Sequence, residues 1–271
     1  MTNSDWSSDV CSSDLLKRIS LDTFERQNRA TRGKAGMKTK DDDDIQHFFT
    51  AMMHDKVLFF SSKGIVYSLN VYDFPEGGRQ SKGLPIVNVL PIEQGERITA
   101  VVPVSNFSHD LNLIMLTQKG YIKRIELDNF ASIRRSGIIA ISLEEGDKLN
   151  WVKLANPNDE IIIGTSCGMA IRFPIEDLRP LGRSARGVNS MKLRAADTII
   201  GCDIVPRNYD ADLLVVTSDG FGKRAGYKSN IEKVFQLLYG FYLFCFTIVI
   251  YCSFCNIGNL CCMIHFYFSF F

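Results

Sequence analysis

The chain has 271 residues, 46 % of them hydrophobic, a formal net charge of +1 and eight cysteines. That apolar share can bury a core in one or two domains, and the near-zero charge excludes a uniformly basic chain while leaving room for cations gathered on one rim. A disulfide scaffold is excluded by placement: Cys245, Cys252, Cys255, Cys261 and Cys262 fall in the C-terminal tail, and the central region holds only Cys167 and Cys202, which suits a reducing cytoplasm.

Residues 1–15 carry Ser-Ser-Asp-Val-Cys followed by Ser-Ser-Asp-Leu, with no cationic start and no apolar stretch, so they are not a signal peptide. This short repeat resembles translated sequencing-adapter text; a natural disordered tail is the competing reading. The folded region is expected over residues 16–230. It opens on Leu16-Lys17-Arg18-Ile19-Ser20-Leu21-Asp22-Thr23-Phe24, which matches Ile122-Lys123-Arg124-Ile125-Glu126-Leu127-Asp128-Asn129-Phe130 at an offset of 106 residues. The later copy follows a strand and a Gly120 turn that the earlier copy lacks, so the chain is expected to enter mid-repeat.

Gln27-Asn28-Arg29-Ala30-Thr31-Arg32-Gly33-Lys34 comes next, inside a loop of twelve residues from Phe24 to Gly36 where the later copy has seven from Phe130 to Gly137. Glycine lets such a loop lay its backbone close to phosphates while Arg and Lys neutralise them. A solvated surface loop is the plainer alternative. The four aspartates at 41–44 fall where Glu93-Gln94-Gly95-Glu96 and Glu144-Glu145-Gly146-Asp147 stand later. They read as the repeat's acidic turn; no calcium-loop spacing is present and no metal ligand is assigned.

Residues 56–60 and 65–69 flank a Ser-Ser-Lys-Gly turn, and 85–90 and 98–104 complete a unit of strands. The same order recurs: Leu116-Thr117-Gln118-Lys119-Gly120-Tyr121 leads to Arg134-Arg135-Ser136-Gly137, and Gly164-Thr165-Ser166-Cys167-Gly168 leads to Arg183-Ser184-Ala185-Arg186-Gly187. A last copy, Val215-Val216-Thr217-Ser218-Asp219-Gly220, is begun and left unfinished. The turn glycines Gly64, Gly120, Gly168 and Gly220 step by 56, 48 and 52 residues, and the second glycines Gly36, Gly83, Gly137 and Gly187 by 47, 54 and 50. Two independent markers agree on a period of about fifty. Each unit holds about four short strands, and residues 50–228 show no sustained helical periodicity. The expectation is an all-β, propeller-like fold of four-stranded blades that bury one another's faces.

From Val234 the repeat stops. Residues 235–255 are 21 uncharged positions, long enough for a membrane-spanning helix, and Cys252, Cys255, Cys261, Cys262 and His265 offer a zinc reading. The preferred reading of 231–271 is out-of-frame translation, because a foreign composition interrupts a blade partway; no membrane partner is expected. His47, His54 and His109 lack a Ser or Cys partner at recognisable spacing, and no Gly-Lys-Ser/Thr loop occurs, so no catalytic residue is assigned.

Val71-Tyr72-Asp73-Phe74-Pro75-Glu76, Pro85-Ile86-Val87-Asn88-Val89-Leu90-Pro91 and Glu96-Arg97-Ile98-Thr99-Ala100 resemble the C-terminal domain of the DNA gyrase A protein, in register from Leu16 to about Lys228. The resemblance implies a β-pinwheel, a six-bladed propeller variant whose blades exchange a strand, with about four blades present here. It implies that duplex DNA wraps on a basic rim, so that strand passage by the rest of the enzyme introduces negative supercoils. The implied partners are duplex DNA, the remainder of gyrase A and the gyrase B protein in an A2B2 assembly, in the cytoplasm. The family's nucleophilic tyrosine lies in a preceding domain with no match here, and ATP and Mg serve the holoenzyme's other domains, so no cofactor is expected in this chain and no activity from it alone.

The family's diagnostic box, Gln-Arg-Arg-Gly-Gly-x-Gly, is met at Gln27, Arg29 and Gly33, beside Arg32 and Lys34; Asn28 replaces an Arg and Ala30-Thr31 replace two glycines. The departures keep the related topoisomerase IV protein open as an alternative. The expected rim comprises Lys63, Arg79, Lys82, Lys119, Lys123, Arg124, Arg134, Arg135, Arg183, Arg186, Lys223 and Arg224, which recur at equivalent places in the units. A second functional class is a propeller-like protein-interaction scaffold tethered by the hydrophobic tail.

Overall fold

The computed structural model describes residues 14–23, 45–194 and 197–207, and beyond these the backbone of three strands. The fragment β1 (Leu15–Leu16) precedes a first unit of β2 (Lys56–Ser61), β3 (Ile65–Asn70), β4 (Leu84–Pro85) and β5 (Ile98–Val104). The second unit is β6 (Asn112–Thr117), β7 (Tyr121–Glu126), β8 (Ile138–Ile139) and β9 (Leu149–Ala155). The third is β10 (Asp159–Thr165), β11 (Ala170–Pro174), β12 (Val188–Asn189) and β13 (Ile199–Pro206). Backbone strands β14 (Ala211–Val216), β15 (Gly222–Gly226) and β16 (Val249–Cys252) follow, with β16 paired to β14 where β5, β9 and β13 pair in the earlier sheets.

Every sheet is antiparallel, and both four-stranded sheets are completed by a strand from the next unit. The orders are β5-β2-β3-β8 and β12-β7-β6-β9, so the two-residue strand of each unit leaves its own sheet and pairs with the hairpin of the unit before. Ile138 and Ile139 pair with Val66 and Ile65, Val188 and Asn189 with Ile122 and Tyr121, and Leu84 and Pro85 with Leu16 and Leu15. At the other edge β5 packs on β9 and β9 on β13. The long strands therefore lie innermost and the exchanged strands outermost.

The core sits between the blades. β6 is buried at every position because its side chains alternate between two neighbours. Leu113 and Met115 join Leu58, Phe60, Val102 and Phe130, while Ile114 and Leu116 join Ile161, Ile163, Ile175 and Ile199. Each such side chain contributes roughly 1.5–3 kcal/mol by leaving water, which is why the middle strands read as unbroken apolar runs.

The hairpin turns are tied by recurring polar groups. The hydroxyls of Ser61, Thr117 and Thr165 accept the N–H groups of Ile65, Tyr121 and Met169, each beside a bulge that shifts the register. The acidic turns supply the second tie. Asp147 accepts the N–H groups of Lys119 and Lys148, and Asp197 accepts the Cys167 N–H and the Ser166 hydroxyl. Burial pushes the Asp197 carboxyl up, but those hydrogen bonds outweigh it and hold the group below its ordinary value.

The segments after the second glycines differ from expectation. Residues 85–90 read as a full strand, yet only Leu84 and Pro85 pair, and after Gly137 only Ile138 and Ile139 do. Pro85 has no N–H to give a ladder, and the chain turns at once into a 3-10 turn (Ile86–Asn88). Ala140 and Ile141 fill the space between the first two blades, and Ile86 and Leu90 pack with Val57, Phe59 and Tyr67 on the other face of the first blade. No helix among the described residues is long and apolar enough to cross a membrane.

Candidate nucleic-acid interface

Of the recurring cations, Lys63 and Lys119 stand on hairpin turns, whereas Arg79, Lys82, Arg134, Arg135, Arg183 and Arg186 stand on the loops that lead into the exchanged strands. These loops run at 77–83, 131–137 and 179–187, and each ends on a glycine with positive φ: 83° at Gly83, 81° at Gly137 and 103° at Gly187. A side chain has no room there. A Cβ on Gly187 would stand 2.5 Å from Ile122 O, on Gly83 2.9 Å from Leu16 O, and on Gly137 2.7 Å from the Tyr67 ring. The second glycine marker thus seats each loop on the strand of the preceding blade, at the outermost edge.

Of the expected rim, Lys63, Lys82, Lys119, Arg134, Arg135, Arg183 and Arg186 are exposed and Arg79 is half-buried. Arg134 and Arg183, from successive loops, line one opening together with Ser132, Ser136, Ser184 and the Ile138–Ile139 strand. Other cations have acidic neighbours. Lys63 lies 2.7 Å from Glu93, and their mutual hydrogen bond raises the lysine and lowers the carboxyl. Lys119 Nζ donates to the Glu145 carbonyl at 2.7 Å. Arg186 pairs with Glu144 and lies 4.7 Å over the Tyr121 ring.

Two residues assigned to the rim are corrected by the structure. Lys123 is fully buried, its Nζ donating to Ala140 O and Arg183 O, both at 2.6 Å, and to Ala185 O at 3.2 Å. Burial, and after it the Arg183 charge, pushes Lys123 down to about 8. Arg124 is half-buried, bound to Asn112 Oδ1 at 3.0 Å and to the carbonyls of Ile175 and Leu178. The adjacent pair sits in mid-strand opposite Met115 and Ile114, where it ties blades together. Lys223 and Arg224 hold the corresponding register in β15, opposite Val215 and Leu214. The box-like residues Gln27, Arg29, Arg32, Gly33 and Lys34, and the aspartates at 41–44, lie outside the described residues.

The three histidines stand apart. His47 lines a groove with Val101, Pro103 and Val152, and burial lowers its pKa. His54 meets the Tyr72 ring edge-on at 6.5 Å, and His109 pairs with Asp128 at 3.0 Å. Sequence reasoning passes over the serines beside the arginines; their signal is recurrence, since Ser136 and Ser184 each stand close to a rim arginine in the chain. It also passes over Lys17, whose Nζ donates to Gly78 O, Arg79 O and Ser81 O as Lys123 does to its own loop.

Antiparallel blades that trade an outer strand, with cationic loops along that edge, define a β-propeller of the pinwheel type. Its units coincide with the segments matched by a family model, described as the DNA gyrase C-terminal domain, beta-propeller, at residues 14–51, 55–105, 111–156, 159–206 and 211–225. The chain belongs to that DNA gyrase C-terminal domain family. The A subunit of DNA gyrase from Synechocystis sp. (strain ATCC 27184 / PCC 6803 / Kazusa) is 52 % identical over 206 residues, which is 75 % of this chain and 24 % of that protein. Its counterpart from Staphylococcus aureus (strain MRSA252) is 44 % identical over 210 residues, 77 % of this chain and 24 % of that protein. The chain thus spans about a quarter of the curated relatives it matches.

Two solved structures share the architecture. The C-terminal domain of DNA topoisomerase IV superposes with a TM-score of 0.66 at 25 % identity, covering 80 % of this chain and 65 % of that one. The DNA gyrase A C-terminal domain gives 0.62 at 25 % identity, covering 79 % and 69 %.

Proposed function

We propose that the chain is a DNA-wrapping segment of a gyrase-type topoisomerase: it holds duplex along the outer edge of its blades, without reading sequence, and the bend supports ATP-dependent negative supercoiling by the rest of the enzyme. The observation that carries this reading is the opening that Arg134 and Arg183 line together with Ser132, Ser136 and Ser184. Guanidinium and hydroxyl donors together suit phosphate oxygens, and phosphate contacts position a duplex without specifying it. Lys82, Arg135 and Arg186, exposed on the same loops, extend the edge. A net charge of +1 is no obstacle, since a local row of cations sets the field a duplex meets.

Bond breakage, ATP and Mg belong on this reading to the remainder of gyrase A and to the gyrase B protein, in an A2B2 assembly in the cytoplasm. The substitutions at Asn28 and Ala30-Thr31 favour the related topoisomerase IV protein as a second reading. The 52 % identity to a gyrase A protein supports the first.

A mobility-shift titration of the chain against duplex DNA at several salt concentrations tests the reading. In the double variant Arg134→Ala/Arg183→Ala the slope of log affinity against log salt is expected to shrink by about 1.8, at about 0.9 per phosphate contact. An unchanged slope removes this opening from the interface.

A further inference from the structure

We propose that Lys123 is a positioning residue for the duplex-binding edge: its ammonium fastens the loop at 182–186 to β7 and so sets where Arg183 and Arg186 stand. The inference rests on the duplex-binding reading above. Lys123 is 0 % exposed, and the carbonyls it binds come from two separate segments. Ala140 O, at 2.6 Å, follows the exchanged strand β8, whereas Arg183 O at 2.6 Å and Ala185 O at 3.2 Å belong to the next unit's loop. One ammonium therefore joins three pieces of backbone. Two further bonds close the same seam: Ser142 Oγ donates to Ser184 O at 2.7 Å, and Leu181 N–H to Arg124 O at 2.9 Å.

The consequence falls on the arginines. With the carbonyls of 183 and 185 drawn inward to Nζ, Arg183 is left exposed at the opening it shares with Arg134, and Arg186 lies over Tyr121. A hydrophobic side chain of equal volume would hold the blades together without the cost of burying a charge. What it would not do is fix the direction of three carbonyls, and with them the backbone that carries the two guanidinium groups.

The device is used twice. Lys17 donates to Gly78 O and Arg79 O at 3.2 Å and to Ser81 O at 2.9 Å, on the loop that carries Arg79 and Lys82. At the corresponding place in β3 stands Tyr67; the loop at 131–137 has instead an exposed lysine bond at its first residue, from Lys56 Nζ to Ala131 O at 3.3 Å, and supplies an internal control without a buried clamp at this position.

The test measures duplex affinity of the chain against salt for Lys123→Met, for Arg183→Ala/Arg186→Ala and for Tyr67→Phe, with far-UV circular dichroism to check folding. Folded Lys123→Met is expected to lose up to about 1.8 in log-log slope, approaching the arginine double variant, whereas Tyr67→Phe keeps the parent slope. An unchanged slope in Lys123→Met, with a reduced slope in Arg183→Ala/Arg186→Ala, overturns the clamp and leaves the duplex reading standing. An unchanged slope in the arginine double variant sinks the duplex reading at this loop and the clamp with it. Should Lys123→Met unfold, Lys17→Met puts the same question to the other loop, and a parent-like slope there overturns the proposal.

Discussion

The junctions at β7 and at β3 share a backbone and differ in chemistry. Each accepts a two-residue strand on its outer edge and is closed by a glycine of positive φ, Gly187 at one and Gly137 at the other. Three residues beyond the turn glycine, β7 places Lys123 and β3 places Tyr67. The lysine grips carbonyls of the incoming loop; the tyrosine, 2 % exposed, offers its ring to Gly137 and gives its hydroxyl to Glu96 at 3.1 and 3.2 Å. The repeat thus prescribes the geometry of strand exchange and leaves open how the seam is glued. An ionic seam directs the loop that crosses it, whereas an aromatic seam only packs against it.

The largest effect expected from breaking the comparison is at the glycines. Gly187→Ala sets a methyl against the backbone of Ile122, at 2.5 Å from O and 3.0 Å from C, in a conformation that L-residues rarely adopt. It is expected to lower the unfolding free energy by about 3 kcal/mol in urea denaturation. Gly137→Ala, also at a positive φ, meets side-chain rather than backbone atoms, the Tyr67 ring at 2.7 Å and Ile65 Cγ2 at 2.8 Å, and a smaller loss of about 2 kcal/mol is expected. Equal losses at the two sites would show that the ring is as rigid as backbone.

Next in size is a pH effect confined to the ionic seam. The folded chain holds Lys123 at about 8, below its ordinary 10.5, so between those values it binds fewer protons than the unfolded chain. Stability from this group therefore rises with pH across that window, as the cost of the buried charge is relieved. Urea midpoints at about pH 7.5, 9 and 10 should show a positive contribution that Lys123→Met removes; a slope identical in the variant contradicts it.

Tyr67→Phe sharpens the other side. Loss of one buried hydrogen bond to Glu96 should cost about 1 kcal/mol. Because burial holds the Tyr67 hydroxyl well above its ordinary value, the variant should also lose the small fall in stability that the tyrosine contributes as the pH approaches that ordinary value. The smallest effect belongs to the surface. Lys63→Ala breaks an exposed pair with Glu93 and should leave the melting temperature of the chain unchanged, a null that a calorimetric scan checks directly.

The seam also explains what the sequence can disclose. Glycine spacing carries the period, the turn and the site of strand exchange, because the described markers Gly64, Gly83, Gly120, Gly137, Gly168 and Gly187 all hold a positive φ that L side chains rarely adopt. Ser61, Thr117 and Thr165 and the acidic turns are equally local, since each ties a hairpin within its own unit. Lys123 and Arg124 are misplaced by pattern alone because a charged pair in an otherwise apolar strand reads as an outward face. Their burial is created by residues about fifty to sixty positions on, Arg183 and Ala185 at Lys123, and Ile175 and Leu178 at Arg124, through an exchanged strand of two residues. The opening between Arg134 and Arg183 is hidden for the same reason: it exists only once successive loops lie side by side. Pro85 is a legible stop that the apolar residues around it mask.

The central claim is that exposed cations along the exchanged-strand edge hold a bent duplex through its phosphates. Its most direct measurement is the affinity of the chain for a long duplex across salt. With roughly 6–10 phosphate contacts, affinity should fall about 10³–10⁵-fold between about 50 and 200 mM salt. An affinity that stays flat over that range contradicts it.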